Sequence, residues 1–206
     1  MENYIMVNGT KINLTEDQIR AIVEAYEPAS KKMRLGDIPA GSSFCIGDTE
    51  FIVLQQCGEE TEVITKNVMK NMAFGDTNNF DGSKVDAYCQ GLGVEIGRQI
   101  GEDNLIPHIV DLTSDDGLKD YGFIERKVSL LTADQYRDHV EILDQHKPDQ
   151  WWWLATPFST KRHNEETWVK CVSPAGFINY GYYICDNSGV RPFCIFKSSI
   201  FVSSES

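Results

Sequence analysis

Arg191, in the segment GVRP, and the aromatic residues around it are the side chains of this chain best suited to hold a ligand. A guanidinium between Val190 and Pro192, at the entry to a strand, either forks onto a carboxylate or phosphate or clamps backbone carbonyls. Trp151, Trp153, Trp168, Tyr180, Tyr182 and Tyr183 add ring faces with polar tips, the surface on which sugars, bases and protein anchors dock, and Asn179 adds an amide among them. Residues 151–206 hold all four tryptophans and 12 of the 22 aromatics, more than packing a domain of this size requires, so a binding surface is expected there. Within WWWLATPF an extended chain puts Trp151 and Trp153 on one face and Trp152 with Leu154 on the other. Trp152 is expected in the core, and Trp151 and Trp153 join the ligand-binding set.

Other chemistry is sparse. Asp76, Asn78 and Asp81 in DTNNFDG gather oxygen atoms in a loop but lack the bidentate glutamate of a twelve-residue calcium site, and Ser114, Asp115 and Asp116 form a comparable polar turn. His108, His139, His146 and His163 have no metal-ligand spacing, so neither a metal nor a cofactor is expected. Lys161, Arg162 and His163 form a small basic loop facing solvent or an anion. The cysteines Cys45, Cys57, Cys89, Cys171, Cys185 and Cys194 make no CxxC pair and are expected as free thiols. GxSxG, P-loop, HExxH and paired-carboxylate signatures do not occur, so no catalytic residue is assigned and no enzyme is expected.

Charge narrows the partners. The net charge of −12 is concentrated in residues 1–150, where 14 basic residues face 27 acidic ones. Such a body excludes direct binding to nucleic-acid phosphates and leaves open a basic protein partner. The segment MENYIMVNGTKINL lacks the basic and apolar regions of a secretion signal, and no apolar run approaches a membrane span, so a cytoplasmic location is expected.

These residues must be positioned by short elements. YIMVNGTKINL reads as a hairpin turning at Asn8-Gly9, and Thr15 with Gln18 caps a helix whose stripe is Ile19, Ile22, Val23 and Tyr26. That stripe must pack on the main domain or on a second copy of the chain. Pro28 ends the helix and PASKKMR reads as a linker, giving an appendage over 1–33 and a main domain over 34–206. SSFCIGDTEFIVLQQ is a strand pair turning at Gly47-Asp48, followed by the strand TEVITKN and the polar loop FGDTNNFDGS. Ser83 caps a helix through KVDAYCQGLGVEIGRQI; HIVDL and KVSLL are strands around the loop TSDDGLKDYGFIE; Thr132 with Gln135 caps the helix ADQYRDHVEILDQH. The last third reads as strand and turn. The pattern is α+β, not alternating βαβ.

The segments LGDIPAGSSFCIGDTEFIVLQQ, WWWLATPF, VSPAGFINYGYY and GVRPFCIFK, in that order, resemble an uncharacterised domain family of Gram-positive bacteria and their phages. That signature in turn is similar to C-type-lectin-like folds, including the formylglycine-generating enzymes and phage receptor-binding proteins. The resemblance spans about residues 34–202 and implies a C-type-lectin-like main domain of short antiparallel strands with two helices. The oxidases of that group need two closely spaced cysteines for copper, whereas Cys185 and Cys194 are nine apart, so that activity is not carried over. The expectation is therefore a non-catalytic phage or prophage protein in the host cytoplasm that binds a host protein or a small polar, nucleotide-like ligand, with counter-defence as one such role. A virion receptor-binding module and an enzyme with a scattered active site are the alternatives.

Overall fold

The computed structural model describes residues 4–7, 10–19 and 32–204. At the N-terminus β1 (Tyr4–Val7) and β2 (Thr10–Asn13) pair antiparallel, with Tyr4 opposite Asn13; the turn at Asn8-Gly9 lies outside the described residues. Residues 16–19 are helical, and Thr15 opens them as expected. Its N–H donates to Gln18 Oε1 at 3.0 Å, and the Gln18 N–H donates to Thr15 Oγ1 at 3.3 Å. Ile19 is half-buried, while Ile22, Val23, Tyr26 and Pro28 lie outside the described residues.

The main unit runs β3 (Lys32–Arg34), β4 (Ser43–Ile46), β5 (Thr49–Cys57), β6 (Glu60–Thr65), β7 (Lys70–Asn71) and α1 (Lys84–Ile100). There follow β8 (Leu105–Ile106), β9 (His108–Asp111), β10 (Phe123–Arg126), β11 (Val128–Ser129), α2 (Ala133–Asp138) and α3 (Val140–Gln145). The chain ends with β12 (Trp152–Pro157), β13 (Trp168–Val172), β14 (Ile178–Tyr182), β15 (Gly189–Val190), β16 (Phe193–Lys197) and β17 (Phe201–Ser204). This is an α+β architecture. One sheet has the order β11-β16-β6-β5-β4-β17-β3, with β8 also on β16, and a second has the order β14-β13-β12-β15-β7. Pairing is antiparallel throughout except between β12 and β15.

Both sheets carry apolar side chains on both faces, which explains runs such as Phe51–Leu54 that are buried without alternation. One core joins Phe44, Phe51, Val53 and Phe196 to Trp153, Val169 and Cys171 under Val85, Cys89, Leu92 and Ile96 of α1. The other joins Ile52, Leu54, Ile64 and Phe193 to Trp152, Leu154 and Val172 under Ala133, Tyr136 and Leu143 of α2 and α3. Both helix caps expected here form: Ser83 Oγ accepts from the Asp86 N–H at 3.0 Å, and Thr132 and Gln135 close a full capping box.

The structure corrects three readings. Lys32–Arg34, expected as linker, is an edge strand on β17, so the boundary expected at 33/34 falls inside an element of the main sheet. The segment expected as a loop over 113–125 contains most of β10, which pairs Phe123 with Asp111 and turns Ile124 onto the core. The helix expected over ADQYRDHVEILDQH is two, broken at His139 (φ −112°, ψ 13°), whose imidazole meets Glu62 at 3.2 Å instead. The polar loop FGDTNNFDGS is pinned from inside by Phe74, Phe80 and Asn78, all fully buried.

Candidate functional site

The aromatics of the last third divide between interior and surface, and strand register decides the division. On β13 and β14, Trp168 stands opposite Tyr182, Lys170 opposite Tyr180, and Cys171 opposite Asn179. Trp168, Lys170, Tyr180 and Tyr182 therefore share one face. There the Trp168 ring lies 5.5 Å from both Tyr180 and Tyr182, Tyr182 lies 5.0 Å from Tyr183, and Phe158 lies 5.3 Å from Tyr180. Trp168, Tyr182 and Tyr183 are half-buried, and Tyr180 is 50% exposed. They form an open aromatic ledge at the edge of the second sheet.

Beside the ledge lies a polar cleft of about 190 Å³ lined by Asp111, Asp115, Thr132, Asp134, Arg137 and Thr156, among others. Lys170 joins the two: its ammonium is 3.0 Å from Asp115 Oδ2 and 6.0 Å from the centre of the Phe158 ring. Arg137 pairs with Asp134 at 2.5 Å and with Asp115 at 3.7 Å.

Four expected ligand residues are withdrawn from the surface set. Trp153 is fully buried: its ring packs edge-on to Phe74 at 5.7 Å and its indole N–H donates to the Met72 carbonyl at 3.0 Å. Trp151 packs partly against the same core and meets exposed Phe177 at 6.4 Å, well along the sheet from the ledge. Arg191 is likewise fully buried and clamps backbone carbonyls, with Nε donating to Thr65 O at 2.9 Å and Nη2 to His146 O at 3.2 Å. Its guanidinium also lies 5.1 Å from the Trp152 ring centre, and burial lowers its pKa to about 10. It serves as the structural clamp, not as an anchor for an external anion. Asn179 is half-buried and folded back along its own strand, where its Oδ1 accepts from the Tyr180 N–H at 2.9 Å. That N–H points to the open edge of β14, and the Tyr182 carbonyl is taken by the Cys185 N–H at 2.8 Å. The edge is thus blunted against a further strand, so recognition at this end rests on side chains.

The oxygen-rich loops are internal braces. Asn78 donates to Ser159 O and Trp168 O and accepts from Tyr121, Asp76 pairs with Lys84, and Asp81 pairs with Arg126. Asp86 accepts both Arg126 nitrogens at 2.8 and 2.9 Å; although burial acts to raise its pKa, these bonds outweigh it and lower the value. Among the described residues no group of three histidine, cysteine, aspartate or glutamate side chains could hold a metal ion.

Sequence reading missed one cluster. Asp116 Oδ2 accepts from Ser159 Oγ at 2.6 Å and lies 2.9 Å from His163 Nδ1, while Ser114 Oγ donates to Oδ1 at 2.5 Å. Burial opposes ionisation of Asp116, but these bonds and the imidazole outweigh it and take the pKa to about 2. Serine, histidine and aspartate meet here, but not in relay order: a relay holds the serine on the imidazole nitrogen opposite the one facing aspartate. Here Ser159 gives its proton to the carboxylate that also binds His163. The cluster ties loop 114–120 to loop 159–163, with Thr160 and Arg162 adding bonds to Asp120. The basic loop is therefore largely neutralised by a loop more than forty residues away in sequence, a pairing no local pattern reveals.

All six cysteines are thiols, and burial pushes Cys171 up to about 12. Among the described residues no helix is long and apolar enough to cross a membrane. Comparison of the chain with protein-family models, with curated proteins and with solved structures finds no match.

Proposed function

We propose that this chain is a non-catalytic binding protein whose ligand or partner docks on the aromatic ledge of Phe158, Trp168, Tyr180, Tyr182 and Tyr183. The observation that carries this reading is the ledge itself: five aromatic rings in one chain of contacts at the edge of the sheet, each at least partly exposed to solvent. Such faces combine large apolar area with little conformational entropy to lose, which suits anchors of recognition. On the resemblance of its WWL, VSP and GVRP segments we also propose a C-type-lectin-like main domain, a phage or prophage origin, and a counter-defence role in the host cytoplasm. The blunted edge of β14 supports recognition by side chains rather than by an added strand.

The test is capture of partners from host extract, read by native mass spectrometry, with wild-type protein and with Trp168→Ala and Tyr182→Ala. Each substitution is expected to weaken capture by about 2 kcal/mol or more while the fold melts near wild type. Equal capture by all three proteins would move the binding site elsewhere.

A further inference from the structure

The tyrosine end of the ledge has a chemistry of its own. Tyr183 is tied at both backbone groups: its N–H donates to Thr167 O at 3.0 Å, and its carbonyl accepts from the Phe74 N–H at 2.8 Å. Those bonds bring two acidic segments to the rings, Glu165-Glu166 before Thr167 and Asp76 after Phe74. Both Glu166 and Asp76 act electrostatically on the Tyr183 hydroxyl, and exposed Asp186 follows just downstream. The ring planes are tilted, by 50° between Trp168 and Tyr182, 73° between Trp168 and Tyr180, and 53° between Tyr182 and Tyr183. A base sandwich needs parallel rings and a sugar platform needs a flat one. The tilted rings at 5.0–5.5 Å fit neither, whereas the attraction of a cation to an exposed aromatic face needs no parallel or flat platform.

Resting on the reading of the ledge as a binding surface, we infer that its Trp168–Tyr182–Tyr183 end takes an arginine or lysine side chain from a basic segment of a partner protein. Aromatic faces attract the cation, and the carboxylates of Glu166 and Asp76 supply the opposite charge beside Tyr183, with exposed Asp186 just downstream, while Glu165 accepts from the Thr167 N–H at 2.7 Å. Lys84, 2.9 Å from Asp76, neutralises one of these and leaves the others. The net charge of −12 draws in a basic segment and repels phosphate-bearing ligands.

The test titrates the full chain by calorimetry with a hexa-arginine peptide, a hexaglutamate peptide, a neutral disaccharide and adenosine monophosphate, while following tryptophan fluorescence. Hexa-arginine is expected to bind and to change the fluorescence, a change lost in Trp168→Phe. Tyr182→Ala is expected to weaken it about tenfold and Glu166→Gln by a few fold, with binding falling as salt rises. Absence of hexa-arginine binding, or binding unchanged by Tyr182→Ala, overturns the inference; the latter is bulk attraction to an acidic protein. If the disaccharide or the nucleotide binds instead and Tyr182→Ala abolishes it, the ledge stands as the binding surface and its cationic partner is wrong. If ledge substitutions alter neither probe binding nor capture from host extract, both readings fall.

Discussion

Trp152 and Trp168 lie on the same face of the five-stranded sheet, one beneath helices α2 and α3 and the other beyond them. Trp152 stands opposite Val172, which stands opposite Ile178, and the same face continues along β13 and β14 through Lys170 and Tyr180 to Trp168 and Tyr182. Over Trp152 lie the Tyr136 ring at 5.7 Å and Leu143, and the indole is 1% exposed. Around Trp168 the neighbouring rings belong to the sheet itself. The two tryptophans obey the same period of two. What separates them is the reach of a helix pair that precedes both in sequence, which no local pattern around either residue encodes.

The comparison breaks most easily at the covered end. Trp152→Ala and Trp153→Ala are each expected to cost about 3–5 kcal/mol, read from denaturant midpoints at constant slope. Trp152 would also leave the Arg191 guanidinium without its ring. A loss below about 1 kcal/mol in either variant would mean that the run WWWL is not the packed centre described here.

Next in size is an acid effect confined to the covered half. His108 stacks edge-on against Phe193 at 5.0 Å, its Nε2 lies 2.8 Å from Ser129 Oγ, and its buried Nδ1 has no hydrogen-bond partner. Burial lowers its pKa from 6.5 to about 4. Between those values the unfolded chain binds more protons than the folded one, so stability falls as pH drops from about 6.5 and levels off below about 4. The amplitude is about 3 kcal/mol. Midpoints measured from pH 7.5 to 4.5 should fall further in wild type than in His108→Gln. Parallel curves would show that the imidazole is solvated.

A smaller effect probes the contact between the two halves. A Cβ on Gly181 would lie 2.9 Å from Cζ3 and 3.0 Å from Cη2 of Trp153, an indole held by its bond to Met72. Gly181→Ala is therefore expected to lose about 1–3 kcal/mol and to shift the rings of Tyr180 and Tyr182 on either side. Wild-type stability would show that the indole can give way.

Much of this could be read locally. The caps at Thr15, Ser83 and Thr132 and the turn at Gly47 (φ 55°) were legible because each is fixed by residues three or fewer apart. Trp152 was legible as core from alternation. Trp153 and Arg191 were not, since alternation says that two faces differ but cannot say that both are covered. Asn179 was read as a ligand group because its bond to the next residue's N–H leaves no composition signal. The brace between Asp116 and His163 escaped for a related reason, as each half is an ordinary polar turn until the fold sets them together.

The smallest expected effect is the most discriminating. Tyr180 is half exposed, its backbone N–H is held by Asn179 Oδ1, a bond its side chain takes no part in, and its ring contacts are Phe158 and Trp168. Truncating it removes little buried area, because water already reaches much of the ring. Tyr180→Ala is therefore expected to change stability by only about 0.5 kcal/mol, within the range of ordinary surface substitutions. Lys170 keeps its bond to Asp115 in that variant, so the polar cleft beside the ledge should hold its shape. Thermal melting of Tyr180→Ala beside Trp152→Ala reads the two ends of one sheet face in a single experiment. A gap of several kcal/mol is the expected outcome. If the two variants melted alike, the ledge would be core in solution, covered by something its sheet does not supply, and the binding surface would have to be sought on the acidic body.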